Sequence, residues 1–167
     1  YNWVSFGFSP APSYAGDGTT LPVTETGALS FSNATTASLA HTLLNGKIAL
    51  IWWMIVGDDF HVTKGNFETI PFTSQLTPQD ASQLMEISKV LDAAMEANTV
   101  FKLNAGKRIG NYNLARCREV TDRSDAIWAK YLGLEENHDD LQLAYAQLVK
   151  TIESLKEDKE WLKHPLT

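Results

Sequence analysis

Cysteine is almost missing from this 167-residue chain. Cys117 stands alone, which excludes a disulfide within the chain. A single thiol fits a reducing compartment, so a cytoplasmic location is expected. No basic stretch followed by an apolar run and a small-residue cleavage site opens the sequence, and no signal peptide is read. The start at Tyr1 reads as part of a longer protein. Long apolar runs are absent too: the longest, Ile48 to Val56, is about half of the roughly 20 residues that cross a bilayer, so it is expected as a buried helix and no membrane partner follows. Acidic residues outnumber basic ones by 20 to 14, which excludes a chain coated uniformly for nucleic acid. Yet none occurs from Lys102 to Arg118, an interval holding Lys102, Lys107, Arg108, Arg116 and Arg118. Charge acts over roughly 8 Å at physiological salt, so this local excess counts for more than the total.

What is present is an ordinary globular balance, 44% hydrophobic and 20% charged, long enough for one core with or without a helical extension. Residues 1 to about 33 are rich in Gly, Pro, Ser and Thr. Short apolar runs at Trp3 to Phe8, Leu21 to Val23 and Ala28 to Phe31 predict strands between turns. A helix is predicted from near Thr36 or Ser38 to Val56, closed by Gly57 and apolar on nearly every side by its end. His61 to Thr63 and Phe67 to Phe72 are strand candidates.

Thr77-Pro78 marks a helix start, with Leu84, Ile87, Leu91 and Met95 at helical spacing and an end near Asn98. Thr121 is read as the cap of a further helix through Trp128 and Tyr131 to Gly133. Leu141, Ala144, Tyr145, Leu148 and Ile152 mark another, prolonged in solvent by Glu153 to Lys163. The fold class is therefore α+β: a small strand-containing region packed on a long apolar helix, then a helical bundle-like region. The boundary falls between residues 1–75 and 76–167.

Leu43 to Phe72, LLNGKIALIWWMIVGDDFHVTKGNFETIPF, carries a Leu-Leu-Asn opening, an aromatic-rich helix, a Gly-Asp turn, Phe-His-Val-Thr-Lys and a Phe-Glu-Thr-Ile-Pro segment. This stretch resembles the closing part of the target-recognition region in DNA adenine-N6 methyltransferases of restriction-modification systems, including methylase-endonuclease fusions. KRIGNYNLARCR from Lys107 to Arg118, Thr121 to Asp125, and AYAQLVKT from Ala144 to Thr151 resemble the helical tail of the same enzymes, in the same order. The resemblance implies a role in recognising a DNA sequence and positioning it for an upstream catalytic domain. In those enzymes that domain binds S-adenosylmethionine. Its Gly-rich loop and Asn/Asp-Pro-Pro-aromatic motif are missing here, since no Asp-Pro or Asn-Pro dipeptide occurs, so neither catalysis nor cofactor binding is expected of these residues. The expected partners are double-stranded DNA and the upstream methyltransferase domain.

By residue type, Lys64, Asn66, Lys107, Arg108, Asn111, Asn113, Arg116 and Arg118 fit nucleic-acid contact: Lys and Arg for phosphates or guanine, Asn for adenine edges. The alternative for Lys107 to Arg118 is a turn-and-cap set, since Gly110-Asn111 has turn chemistry. A competing function is a helical interaction module serving self-association or subunit docking, as helical spacers do in multisubunit restriction systems. A third is a metal-dependent nuclease on Asp58, Asp59, His61 and Glu68, whose ligand types suit a divalent ion but whose spacing matches no defined site. Trp52 and Trp53 are read as core rather than as platforms for an extruded base. Cys117 is read as a passive thiol, although Arg116 and Arg118 beside it are the neighbours that activate one.

Overall fold

The computed structural model describes residues 4–22, 27–58, 61–73, 75–141, 143–145 and, as backbone, 161–162. Trp3, Val23, Asp59, Leu148, Ile152, Glu153 to Glu160 and Lys163 lie outside the described residues. The architecture is α+β. Helices α1 (Ala34–Leu44), α2 (Lys47–Val56), α3 (Lys64–Glu68), α4 (Pro78–Ala97) and α5 (Arg118–Tyr131) accompany strands β1 (Ser13–Tyr14), β2 (Thr20–Leu21), β3 (Thr99–Asn104), β4 (Lys107–Tyr112) and β5 (Trp161–Leu162). Residues 138–141 and 143–145 are also helical. The strands form one sheet in the order β2-β1-β4-β3-β5, with antiparallel pairing at each step.

The long helix expected from Thr36 or Ser38 to Val56 is two helices bent by 74°. It starts a little earlier, because the Asn33 side chain accepts the Thr36 N–H at 2.8 Å. It breaks at Asn45-Gly46. The Asn45 amide donates to His41 O at 2.9 Å and to Phe6 O at 2.9 Å, and its oxygen accepts the Phe6 N–H at 2.9 Å. One buried side chain thus closes α1 and pins the N-terminal segment across the corner. Gly46 is extended and offers no side-chain cap. The first N–H of α2, from Lys47, goes instead to Asp125 Oδ2 at 2.9 Å, a carboxylate delivered by α5. Gly57 does close α2, its N–H on Trp53 O at 2.7 Å, but at φ −84° rather than in the left-handed region.

Leu39, Leu43, Leu44, Ile48, Ala49, Phe67, Ile70, Leu84, Trp128 and Ala129 share the main core, so α1 and α2 pack against α3, α4 and α5. The Trp128 indole donates to Thr42 Oγ1 at 3.0 Å, which satisfies both polar groups inside. Leu91, Met95, Leu114 and Cys117 form a second cluster beside the sheet, and Leu50, Trp53 and Tyr145 a third. Helix α4 is as the spacing predicts: Thr77 Oγ1 accepts the Asp80 N–H at 3.2 Å, Pro78 opens the helix and Asn98 ends it. Among the described residues no single helix is long and apolar enough to cross a membrane.

Other expectations change. Residues 61–63 are not a strand; they lead into α3, which occupies part of the second strand candidate, because Asn66 Oδ1 accepts both the N–H and the hydroxyl of Thr63 at 2.8 and 2.7 Å and folds the chain into a turn. Thr121 does not cap a helix. A 3-10 turn, Leu114–Cys117, runs directly into α5 and leaves Thr121 buried inside it. The Ala28 to Phe31 run forms no strand. Trp161–Leu162 is a strand beside β3, not the end of a solvated helix.

Candidate nucleic-acid interface

The largest departure lies in Lys107 to Arg118. Its first half is β4, hairpinned with β3, rather than part of a helical tail. The turn is Ala105-Gly106, both at positive φ (47° and 78°), as a two-residue type I′ turn demands. Gly110-Asn111 therefore sits inside a strand, not at a turn. Gly110 is required there by close approach: a Cβ would meet Pro12 O at 2.0 Å, and its N–H donates to Ser13 Oγ at 3.2 Å.

Strand alternation then sorts the side chains. Asn104 pairs with Lys107, Lys102 with Ile109 and Val100 with Asn111, so these six share one face. Val100 is buried at the base and Ile109 half-buried, whereas Lys102, Asn104, Lys107 and Asn111 are all exposed. The opposite face holds Phe101, Leu103, Arg108, Gly110 and Tyr112, with Phe101 buried beneath Tyr14 at 5.8 Å between ring centroids. The exposed ribbon face thus carries two lysines and two carboxamides without an acid. Asp17 is on the adjoining β1–β2 turn, where its carboxylate accepts the Thr19 N–H.

Lys107 and Asn111 are brought together with Lys102 and Asn104. These last two were not singled out among the candidates; the signal available was the alternation on either side of Ala105-Gly106. Arg108 is turned to the other face beside Tyr14, and its Nε is buried without a hydrogen-bond partner. Asn113 leads the 3-10 turn, accepting Arg116 N–H at 3.0 Å, and Arg116 is exposed. Arg118 lies over the Tyr145 ring, 5.1 Å from its centroid. Lys64 pairs with Glu68 at 3.3 Å on α3, and Asn66 caps Thr63, so that pair belongs to a separate element.

The turn offered for metal chemistry is used differently. Asp58 accepts the His61 N–H at 2.6 Å and lies 2.7 Å from its ring Nδ1, while Glu68 is engaged with Lys64. Among the described residues no cluster of three His, Cys, Asp or Glu is arranged to hold a metal. Trp53 is buried, its indole donating to His61 O at 2.9 Å. Burial pushes the Cys117 thiol up to about 11, away from a reactive thiolate.

A polar cluster at the α1–α2 corner was not foreseen. Lys47 is buried, its ammonium on Asp122 and 5.4 Å from the Tyr145 ring centre. Asp125 is buried beside it, pushed up to about 7 by burial and only partly held down by the Lys47 N–H and ammonium. Its Oδ1 has no hydrogen-bond partner and faces Gly46. This cluster caps and orients α2, a structural task. No protein-family model, no curated protein and no solved structure matches this chain.

Proposed function

We propose that this chain is the closing part of a DNA target-recognition region with its helical support, serving an adenine-N6 methyltransferase of the restriction-modification kind. The observation that supports it best is the exposed, acid-free face of the β3–β4 hairpin with Lys102, Asn104, Lys107 and Asn111, whose tip from Leu103 to Lys107 projects beyond the pairings with β1 and β5 and is there two strands wide, a width that the major groove admits. The ordered blocks from Leu43 to Thr151 add the resemblance that directs the reading to these enzymes. Methyl transfer and S-adenosylmethionine binding belong, in this reading, to an upstream domain of the parent protein, in a cytoplasmic setting. The lysines take phosphates, and the Asn104 amide takes a base edge.

Salt dependence of duplex binding tests it. Each phosphate contact releases counterions, so Lys102→Gln with Lys107→Gln should flatten the slope of log affinity against log salt by about 1.8. Identical slopes for the wild type and the double variant would overturn the reading.

A second reading, a protein-docking module, is favoured by one feature. The last turn of α2 leaves Met54, Ile55 and Val56 exposed, Ile55 at 73%, with Val62 exposed just beyond. Concentration-dependent association without duplex affinity would favour docking.

A further inference from the structure

We infer that Arg108 grips a phosphate on the groove wall opposite the one that Lys102 and Lys107 take, an inference that rests on the DNA-binding reading above. Arg108 is a cation that the fold leaves unmatched. It is half-buried between Leu103 and Tyr14, its cross-strand partners on β3 and β1. Its Nε is buried and has no hydrogen-bond partner. Among the described residues no carboxylate pairs with it; Asp17, the acid of the adjoining β1–β2 turn, accepts the Thr19 N–H at 2.9 Å instead. A guanidinium is always charged, and stripping water from one of its N–H groups without supplying an acceptor costs free energy. Leu103 is itself 58% exposed, so the cover over Nε is thin, and a phosphate that draws the side chain outward supplies the missing acceptor in a geometry that suits the guanidinium fork.

The register selects the partner. Arg108 pairs with Leu103, whereas Lys107 pairs with Asn104 and Lys102 with Ile109, so Arg108 and the lysines project from opposite faces of the same hairpin end. That end is a wedge with cations on both flanks and no acid between Lys102 and Arg118. Sheets pack about 10 Å apart, so one sheet with its side chains is about that thick, and the major groove is about 12 Å wide. Entry end-first therefore sets each face against one wall, and the walls are the phosphate backbones of the two strands. The breadth of the sheet then runs along the groove, where the β1–β2 turn accompanies the tip with Gly16 beside Gly106. From the Leu103–Arg108 pair to the Ala105-Gly106 turn is two residues, roughly 7 Å, against a groove about 8.5 Å deep. Arg108 thus stands at the rim, level with phosphates, when the turn meets the floor. A protein carboxylate fits the same fork but leaves the lysine face without an anion.

The test uses the full chain and one duplex selected from a randomised library. The slope of log affinity against log salt should flatten by about 0.9 in Arg108→Gln and by about 2.7 in the triple variant with Lys102→Gln and Lys107→Gln, since each contact releases its own counterions. Ethylation of single phosphates then maps the walls. In wild type it should interfere with binding on both strands that flank the groove; Arg108→Gln should lose the interference on one strand and the lysine pair on the other. Arg108→Met keeps the stem and removes the unpaired charge, so it should melt no lower than wild type while showing the same flattened slope, a combination that a purely structural arginine would not give. Wild-type slopes in both Arg108 variants would overturn the inference while the DNA-binding reading stands. Loss of interference at the same phosphates as the lysine variants would also overturn it, as would polyglutamate binding as tight as the duplex and lost in Arg108→Met, which would assign the fork to a protein carboxylate. No duplex binding at low salt would overturn both readings.

Discussion

Asp125→Asn should expose a pH dependence that the wild-type protein conceals. Burial holds His41 at about 4, below its ordinary 6.5, so the folded protein refuses a proton that the unfolded chain accepts. The His41 contribution is complete above pH 6.5 and lost as pH falls toward 4, about 3 kcal/mol in all. Asp125 acts in the opposite sense. Burial raises it from 3.8 to about 7, so the folded protein keeps a proton that the unfolded chain has released. The resulting penalty is complete above pH 7 and relieved as pH falls toward 3.8, about 4 kcal/mol in all. Between pH 4 and 6.5 one group adds stability with rising pH while the other removes it at the same rate, and the two slopes cancel.

Asp80, lowered to about 2, first by the Tyr131 hydroxyl and then by Lys130, loses its contribution only as pH falls below 3.8, outside this window. Asparagine keeps an acceptor for the Lys47 N–H and cannot titrate. The variant should therefore lose about 3 kcal/mol between pH 6.5 and 4, with a slope of about 1 kcal/mol per pH unit midway. His41→Gln should do the reverse and gain stability as pH falls from 7. Urea unfolding followed by the fluorescence of the buried Trp53 and Trp128, at half-unit steps from pH 4 to 7.5, measures all three proteins. A wild-type slope of one full proton across the window, or an Asp125→Asn curve parallel to wild type, would refute the compensation.

Trp53→Ala should act through stability, costing about 3–5 kcal/mol by calorimetry, because the indole packs on Leu50 and Tyr145; a lost affinity with an unchanged melting temperature would make it a stacking platform instead. Gly46→Ala places a Cβ 2.1 Å from Asp125 Oδ1, so it should destabilise by about 1–3 kcal/mol in denaturant unfolding, and less in the Asp125→Ala background. Ala105→Asn should raise stability by about 1 kcal/mol, since asparagine tolerates the left-handed φ of 47° better than alanine does; an unchanged or lower melting temperature would count against the type I′ turn.

How far the chain could be read without coordinates depended on whether a signal was local. Thr77-Pro78 and the Leu84-Ile87-Leu91-Met95 spacing defined α4 to its last turn, because cap, dipole and apolar stripe all lie within twenty residues. The α+β class and the core place of Trp53 were equally legible. The break at Asn45-Gly46 was not, because the run of apolar residues passes through it. Asn45 is bonded 39 residues away, to Phe6, and Lys47 N–H 78 residues away, to Asp125. The interface divides in the same way. Composition alone identified an acid-free interval rich in Lys, Arg and Asn. Only pairing across the Ala105-Gly106 turn, with Tyr14 and Pro12 closing the other side, decided that Lys107 and Asn111 share a face with Lys102 and Asn104 while Arg108 turns away. Side-chain type is a property of the chain, but which face a strand shows depends on register, and register is settled by partners distant in sequence.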